Sequence, residues 1–301
     1  MTDASPADDL FHPIADEHPL WTETSWWGFY APDGSVGGMV YAFFRPNLGV
    51  ATLVTSIWDA DHVEPWRAPY SRSQWHLPMP EGDLDDLALG HLRIRCLEPL
   101  GRYHLAYDDP GGLVLDLAYE AAMAPHVAVA QPTIGHFDQL CRATGTIRLG
   151  TRVVEVDALA VRDRSWYVRD DLRSSRAGYT YGAVDGDEHF LAFSRPAADG
   201  AIHGGYLVRA GEKAALVEGA RHVRSRRRGH PDEVEVTAVD ALGRELRALG
   251  RVTASLASQS TPGMFAWMSI ARWDVDGRDG MGEDHDVFSP DLLAAGDRGD
   301  P

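Results

Sequence analysis

Polar and apolar positions alternate with a period of two along much of the chain. Leu92, Ile94 and Cys96 fall on one face, and His91, Arg93 and Arg95 fall on the other. That period predicts a half-buried strand, because successive side chains of an extended backbone point to opposite sides. Leu113, Leu115, Leu117 and Tyr119, interleaved with Val114, Asp116, Ala118 and Glu120, predict an antiparallel partner after the turn at Asp108–Gly112. Nearer the N-terminus, Thr24–Tyr30 and Gly37–Arg45 are aromatic-rich runs split by the turn cluster Pro32-Asp33-Gly34, and Gly49–Trp58 continues the pattern. At mid-chain, Thr146–Leu149 and Arg152–Val161 flank Gly150-Thr151, which suits a two-residue type II′ hairpin turn.

Beyond residue 170 the pattern starts again. The runs Tyr179–Val184, His189–Ser194, Gly204–Arg209, Ala214–Val217, Glu233–Val239 and Met264–Trp273 are separated by Gly and Asp turns. Regularly spaced short strands indicate a sandwich or barrel, and the absence of alternating strand and helix patterns argues against a Rossmann or TIM architecture. Helical periodicity is weak, confined to Ala118–Met123. Asp59–Asp86, with prolines at 65, 69, 78 and 80, reads as a long irregular loop of the kind that binds or covers something. The first twenty or so residues read as loop, and Ser289–Pro301 as a frayed tail.

Composition narrows the function classes. The 301 residues are 44% apolar, enough for packed cores, and carry a formal charge of −17. Such an acidic balance gives no general attraction for nucleic acid or anionic membrane. No apolar run reaches the ~18 residues of a spanning helix, and the acidic N-terminus lacks the features of a signal peptide. Cys96 and Cys141 have neither metal spacing nor a disulfide framework. A cytoplasmic protein with no membrane span is the expectation, and nothing in the sequence sets its oligomeric state.

Candidate chemistry concentrates after the central hairpin, where Arg162-Asp163-Arg164-Ser165-Trp166-Tyr167-Val168-Arg169 replaces the aliphatic pattern. In a straight strand Asp163 shares the parity of Glu155 and Asp157, on the solvent face, while Trp166 falls opposite. Only a bulge or a strand end after Val161 brings both inward. Arg162, Arg164 and Arg169 could alternatively hold Asp163 ionised in a structural salt-bridged corner. Trp26, Trp27, Tyr30, Phe43, Phe44 and Trp58 crowd the first strands, as core or as the wall of a lipophilic site. His136-Phe-Asp138 and Glu283-Asp-His-Asp286 carry metal-capable groups without an established spacing, so turn and solvent-facing roles are expected and no metal is assigned. The basic run Arg221–Arg228 reads as a solvated strand end neutralising nearby carboxylates. Lys213, the only lysine, sits in a turn and offers no desolvated amine. Serine-hydrolase, nucleotide and zincin motifs are absent.

The glycine-threonine hairpin followed by Asp-x-x-Trp resembles the carotenoid 1,2-hydratase (hydroxyneurosporene synthase) superfamily, which includes lipocalin-like fungal Diels–Alderases. A bacterial branch resembles the chain more fully. The shared features are Glu23-Thr-Ser-Trp26-Trp27, Gly37-Gly38, Arg45-Pro46-Asn47, the central Arg-Asp-x-Ser-Trp and a Gly-x-Gly-Glu at Gly280–Glu283. That branch usually has His where this chain has Arg164. The resemblance implies an all-β chain of two tandem lipocalin-like antiparallel barrels, residues 1–168 and 169–301, with a ligand site near their junction. It also implies cofactor-free hydration, isomerisation or cyclisation of a hydrophobic alkene, isoprenoid or steroid-like. Asp163 is then the expected acid, with its pKa raised by an apolar surround and Trp166 beside it. Tyr167 or Ser165 would orient the water or accept the second proton, with Glu283 as a further acid. Trp26, Trp27, Tyr30, Phe44, Trp58 and Arg169 are the expected ligand contacts. The alternative is a carrier that binds the same lipophile and does no chemistry.

Overall fold

The structure is a computed structural model that describes residues 4–14, 17–131, 134–170, 176–195 and 200–294. Its chain divides into two compact units. The first is Met1–Asp33, Gly38–Ile57 and Pro69–Asp170; the second is Gly34–Gly37, Trp58–Ala68 and Asp171–Pro301. Nearly every element is a strand, as the alternation predicts.

The first unit holds, apart from the start of β2 and the end of β3, the strands β1 (Trp21–Tyr30), β2 (Val36–Arg45), β3 (Val50–Asp59), β4 (Tyr70–Pro78), β5 (Asp86–Leu89), β6 (Leu92–Glu98), β7 (Arg102–Asp109), β8 (Leu113–Ala121), β9 (His126–Gln131), β10 (Ile134–Leu149) and β11 (Arg152–Val168). They form one sheet in the order β4-β3-β2-β1-β11-β10-β8-β7-β6-β5, with β9 added to β10. Side chains tie its edge strand β4 to β7. The Tyr70 hydroxyl on β4 lies 2.8 Å from that of Tyr107 on β7 and donates to Asp109 at 2.6 Å, and the Arg72 guanidinium also bonds Asp109. Bonds from Tyr70 and Gly111 outweigh desolvation and, with Arg72, hold the Asp109 carboxyl well below the usual carboxylate range.

The central hairpin is longer than its aliphatic pattern suggests. β10 and β11 pair without a register shift from Leu149↔Arg152 to Gly135↔Trp166, closed by Gly150 at φ +57. Two expectations fail here. The stretch from Asp59 onward is not one loop, because Tyr70–Pro78 forms edge strand β4, whose prolines stand at its end and beyond, where no ladder donor is needed. Ala118–Met123 is not helical, because β8 runs to Ala121 with Leu113, Leu115, Leu117 and Tyr119 all buried. The N-terminal residues are not merely loop either. The 3-10 turn Pro6–Asp9 carries Asp9 into the first unit's interior.

The second unit holds β12 (Arg176–Ala183), β13 (Glu188–Ser194), β14 (Ile202–Arg209), β15 (Glu212–Arg227), β16 (His230–Asp240), β17 (Glu245–Thr261), β18 (Met264–Val275) and β19 (Arg278–Phe288), which close into a barrel in chain order. Phe190, Leu207, Val234, Val236, Ala248 and Trp273 are among the residues of its apolar core. Two glycines make room for Trp273, since a Cβ at Gly250 would meet the ring at 2.7 Å and one at Gly182 at 2.9 Å. β17 has no clear sequence signal because its inward residues are mostly small. It forms through its ladders with β16 and β18. At the C-terminus, Pro290–Ala294 is a helical turn rather than frayed chain, and 295–301 lie outside the described residues. No helix among the described residues is long and apolar enough to cross a membrane.

Candidate functional site

The unbroken ladder between β10 and β11 decides which groups meet. With no bulge after Val161, Asp163 and Trp166 stay on opposite faces of β11. Trp166 points inward, clustered with Trp21 and Phe137 and stacked on His12 at 3.7 Å between ring centres. It cannot flank Asp163, so the expected pairing of acid and indole is corrected.

Arg162 and Arg164 share the inward face with Trp166, and their carboxylates come from elsewhere. Arg162 donates to Asp9 at 2.9 Å and Gln139 at 2.8 Å, and lies over the rings of Tyr103, Phe137 and Trp27. Arg164 donates to Glu23 at 2.7 Å and to the Leu10 carbonyl at 3.1 Å. The expected corner in which these two arginines pair with Asp163 therefore does not form. Trp27 and Phe44 also belong to this interior, Trp27 against Tyr103 and Tyr119, Phe44 against Phe11.

On the opposite face of the same strands lies a second, mixed cluster. Asp163 is the cross-strand neighbour of Trp26 on one side and of Asp138 on the other. Asp138 is fully buried and bonds His136 Nε2 at 3.1 Å, and the His136 side chain keeps about a quarter of its surface (26%) exposed. Burial disfavours the imidazolium, but the charge and hydrogen bond of Asp138, followed by the charge of Asp163, outweigh it against Arg169. The His136 pKa is raised to about 9. Ser165, beside this group, meets the Thr24 hydroxyl at 2.7 Å and accepts from Arg169 at 3.0 Å. Arg169 lies over Tyr167 and Phe43, Phe43 meets Tyr41, and Tyr41 meets Trp26 edge-on.

The result is an aromatic shelf, Trp26–Tyr41–Phe43, bordered by two carboxylates, an imidazolium and a guanidinium. Of the residues expected from sequence, it gathers Asp163, Tyr167, Trp26 and Arg169. Tyr30 donates its hydroxyl to the Leu159 carbonyl at 2.6 Å. Trp58 lies against Gly37 and Ile270 in the second unit. Against the expected turn and solvent-facing roles, His136 and Asp138 are strand residues two apart on one face. The signal that finds them is the hairpin itself, since counting outward from the two-residue turn at Gly150-Thr151 pairs Asp163 with Asp138.

Glu283 belongs to another cluster, in the second unit. It is almost fully buried, accepts from Tyr181 at 3.0 Å and lies 2.7 Å from His285 Nε2, whose ring stacks on Tyr179. Its neighbours Asp284 and Asp286 face the barrel interior. There Asp284 takes a two-pronged bond from buried Arg221 at 2.7 and 2.6 Å, and Asp286 bonds Arg176 and Arg226. The basic run is thus only partly solvated. Among the described residues no group of three or more His, Cys, Asp or Glu is placed to hold a metal.

Solved structures with this fold include the AttH-like protein NE1406 from Nitrosomonas europaea, at 16% identity and TM-score 0.61 over 96% of this chain and 99% of that one. CghA, solved with Sch210972, matches at 12% identity and TM-score 0.57 over 96% of this chain and 94% of its own. Kievitone hydratase from Nectria haematococca matches at 11% identity and TM-score 0.53 over 96% and 95%. All share a related two-barrel fold. A comparison with curated proteins gives no match. Residues 5–283 match the family described as a domain of unknown function (DUF7064), and the chain belongs to that family.

Proposed function

We propose that this chain is a cofactor-free acid–base enzyme that adds water to, or isomerises, a hydrophobic alkene. The observation that carries the reading is the His136–Asp138–Asp163 group at the edge of the Trp26–Tyr41–Phe43 shelf. It combines a proton donor, a proton acceptor and apolar walls, the minimum such a reaction needs. The fold shared with kievitone hydratase supports the reaction type.

The donor in this reading is His136 rather than Asp163, because the imidazole is the group whose proton is held at neutral pH. An acid with a pKa near 9 is too weak to protonate an isolated carbon–carbon double bond. It suits an alkene conjugated to a carbonyl, where charge gathers on oxygen as the nucleophile adds. Asp163 takes the proton of the attacking water as the new carbon–oxygen bond forms. Arg169 and the imidazolium stabilise the enolate oxygen, and His136 then delivers a proton to the adjacent carbon. Proton return from Asp163 to His136 restores the site, and the net change is addition of one water. Asp138 orients the ring, and Trp26, Tyr41 and Phe43 hold the hydrocarbon. An isoprenoid or steroid-like enone has the required chemistry.

The test is incubation with such enones in isotopically labelled water, with label uptake read by mass. Saturable uptake that falls by about 10²–10⁴ in rate in His136→Gln is expected. Saturable quenching of tryptophan fluorescence with no uptake would leave a carrier instead. No binding tighter than about millimolar, roughly 4 kcal/mol, would remove both readings.

A further inference from the structure

The proposed reaction leaves the interior of the first unit unused, and three observations there point to a ligand. Arg162 and Arg164 are each only 2% exposed, yet Arg162 Nη2 and Arg164 Nε and Nη1 have no acceptor among the described residues. A gap of about 10 Å³, the size of one water molecule, lies beside them, with Trp27, Leu87, Ile94 and Tyr103 in its wall. The carboxylate seated there, Asp9, does not belong to the sheet. It arrives on the four-residue turn Pro6–Asp9 and accepts from Arg162, from Tyr103 at 2.5 Å and from the Leu100 amide at 2.6 Å.

Buried donors without acceptors are costly, and buried guanidinium groups are costlier, so natural interiors keep them only where an acceptor completes the set. Here one carboxylate is held by three donors at the inner end of a single 3-10 turn with no ladder of its own. Apolar side chains continue beyond it. We propose that this interior is a second ligand site, for the carboxylate of a small amphipathic acid, and that Asp9 is its intramolecular occupant. An entering acid takes the bonds of Asp9 from Arg162, Tyr103 and Leu100. Its second oxygen gains the Nη2 donor that Asp9 leaves unused, and its hydrocarbon tail takes the volume that the segment vacates, where Phe11 now packs on Phe44 and His12 on Trp166. The departing turn withdraws with Leu10–His12, freeing Arg164 from the Leu10 carbonyl.

Because Asp9 competes for the site, apparent affinity is reduced by the fraction of molecules with the turn in place. Octanoate is the probe, with octanol as its uncharged counterpart, titrated calorimetrically into the full chain. Asp9→Asn is expected to bind octanoate about tenfold tighter than the unaltered chain, and adding Arg162→Gln to it should abolish that gain. Octanol should bind no tighter to Asp9→Asn than to the unaltered chain. Equal octanoate affinity with and without Asp9, or a gain that survives Arg162→Gln, would overturn the proposal. Should the variants fail to fold, hydrogen exchange on the unaltered chain decides. Octanoate at saturation must deprotect the Leu10, Phe11 and His12 amides, which are hydrogen-bonded in the closed arrangement. Unchanged protection would contradict displacement of the turn.

Discussion

The two units use the same ladder chemistry and fill their interiors in opposite ways. In the second, a closed barrel packs Trp273 among aliphatic side chains, and its buried Arg221 is satisfied from across the barrel by two paired strand residues, Thr180 and Asp284. In the first, the sheet runs from edge strand β4 to edge strand β5 without a closing ladder, and Arg162 and Arg164 meet carboxylates delivered partly by a segment outside the sheet. A charge satisfied within a ladder is fixed with the fold. One satisfied by a terminal turn can be exchanged.

The largest effect should come from removing a partner of the fixed charge. Asp284→Asn leaves Arg221 in a dry interior and is expected to cost about 3–5 kcal/mol in urea unfolding. Asp9→Asn should cost less, about 1–3 kcal/mol, because Arg162 keeps Gln139 and three ring faces. A reversed order would show that Arg162, not Arg221, depends more on its carboxylate. Next in size, Gly250→Ala should cost about 1–3 kcal/mol by forcing Trp273 off its packing, read in the same unfolding experiment.

Two further effects are of opposite sign in pH. His136 in the first unit has its pKa raised from 6.5 to about 9, so the stability it contributes is complete below pH 6.5 and is lost as pH rises toward 9. In the second unit, burial lowers the His189 pKa to about 4. The unfolded chain takes up that proton first, and stability is lost as pH falls from 6.5 toward 4. Melting temperature against pH should show the alkaline loss flattened in His136→Gln and the acid loss flattened in His189→Gln.

Much of the fold was legible because period-two alternation is local: Leu92–Cys96 and Leu113–Tyr119 declare their faces by themselves. β17 was not, since small inward residues such as Ala248, Gly250 and Ala254 carry little strand preference and are held by neighbours on both sides. The parity of Asp163 against Trp166 was readable, and the unbroken ladder upholds it; the bulge that would have joined them is absent. The partner of Arg162 could not be read. Asp9 lies 153 residues away in a segment without periodicity, and no local rule links the two. The imidazole–carboxylate pair was hidden differently. His136 and Asp138 look like surface polar residues until the hairpin register sets them beside Asp163.

The central claim, that the proton of the candidate site is held on His136 between two carboxylates, is tested most directly by following the His136 ring protons by NMR through a pH titration. The expected apparent pKa is about 9, falling toward 6.5 in Asp138→Asn. A ring that titrates near 6.5 in the unaltered chain would contradict it.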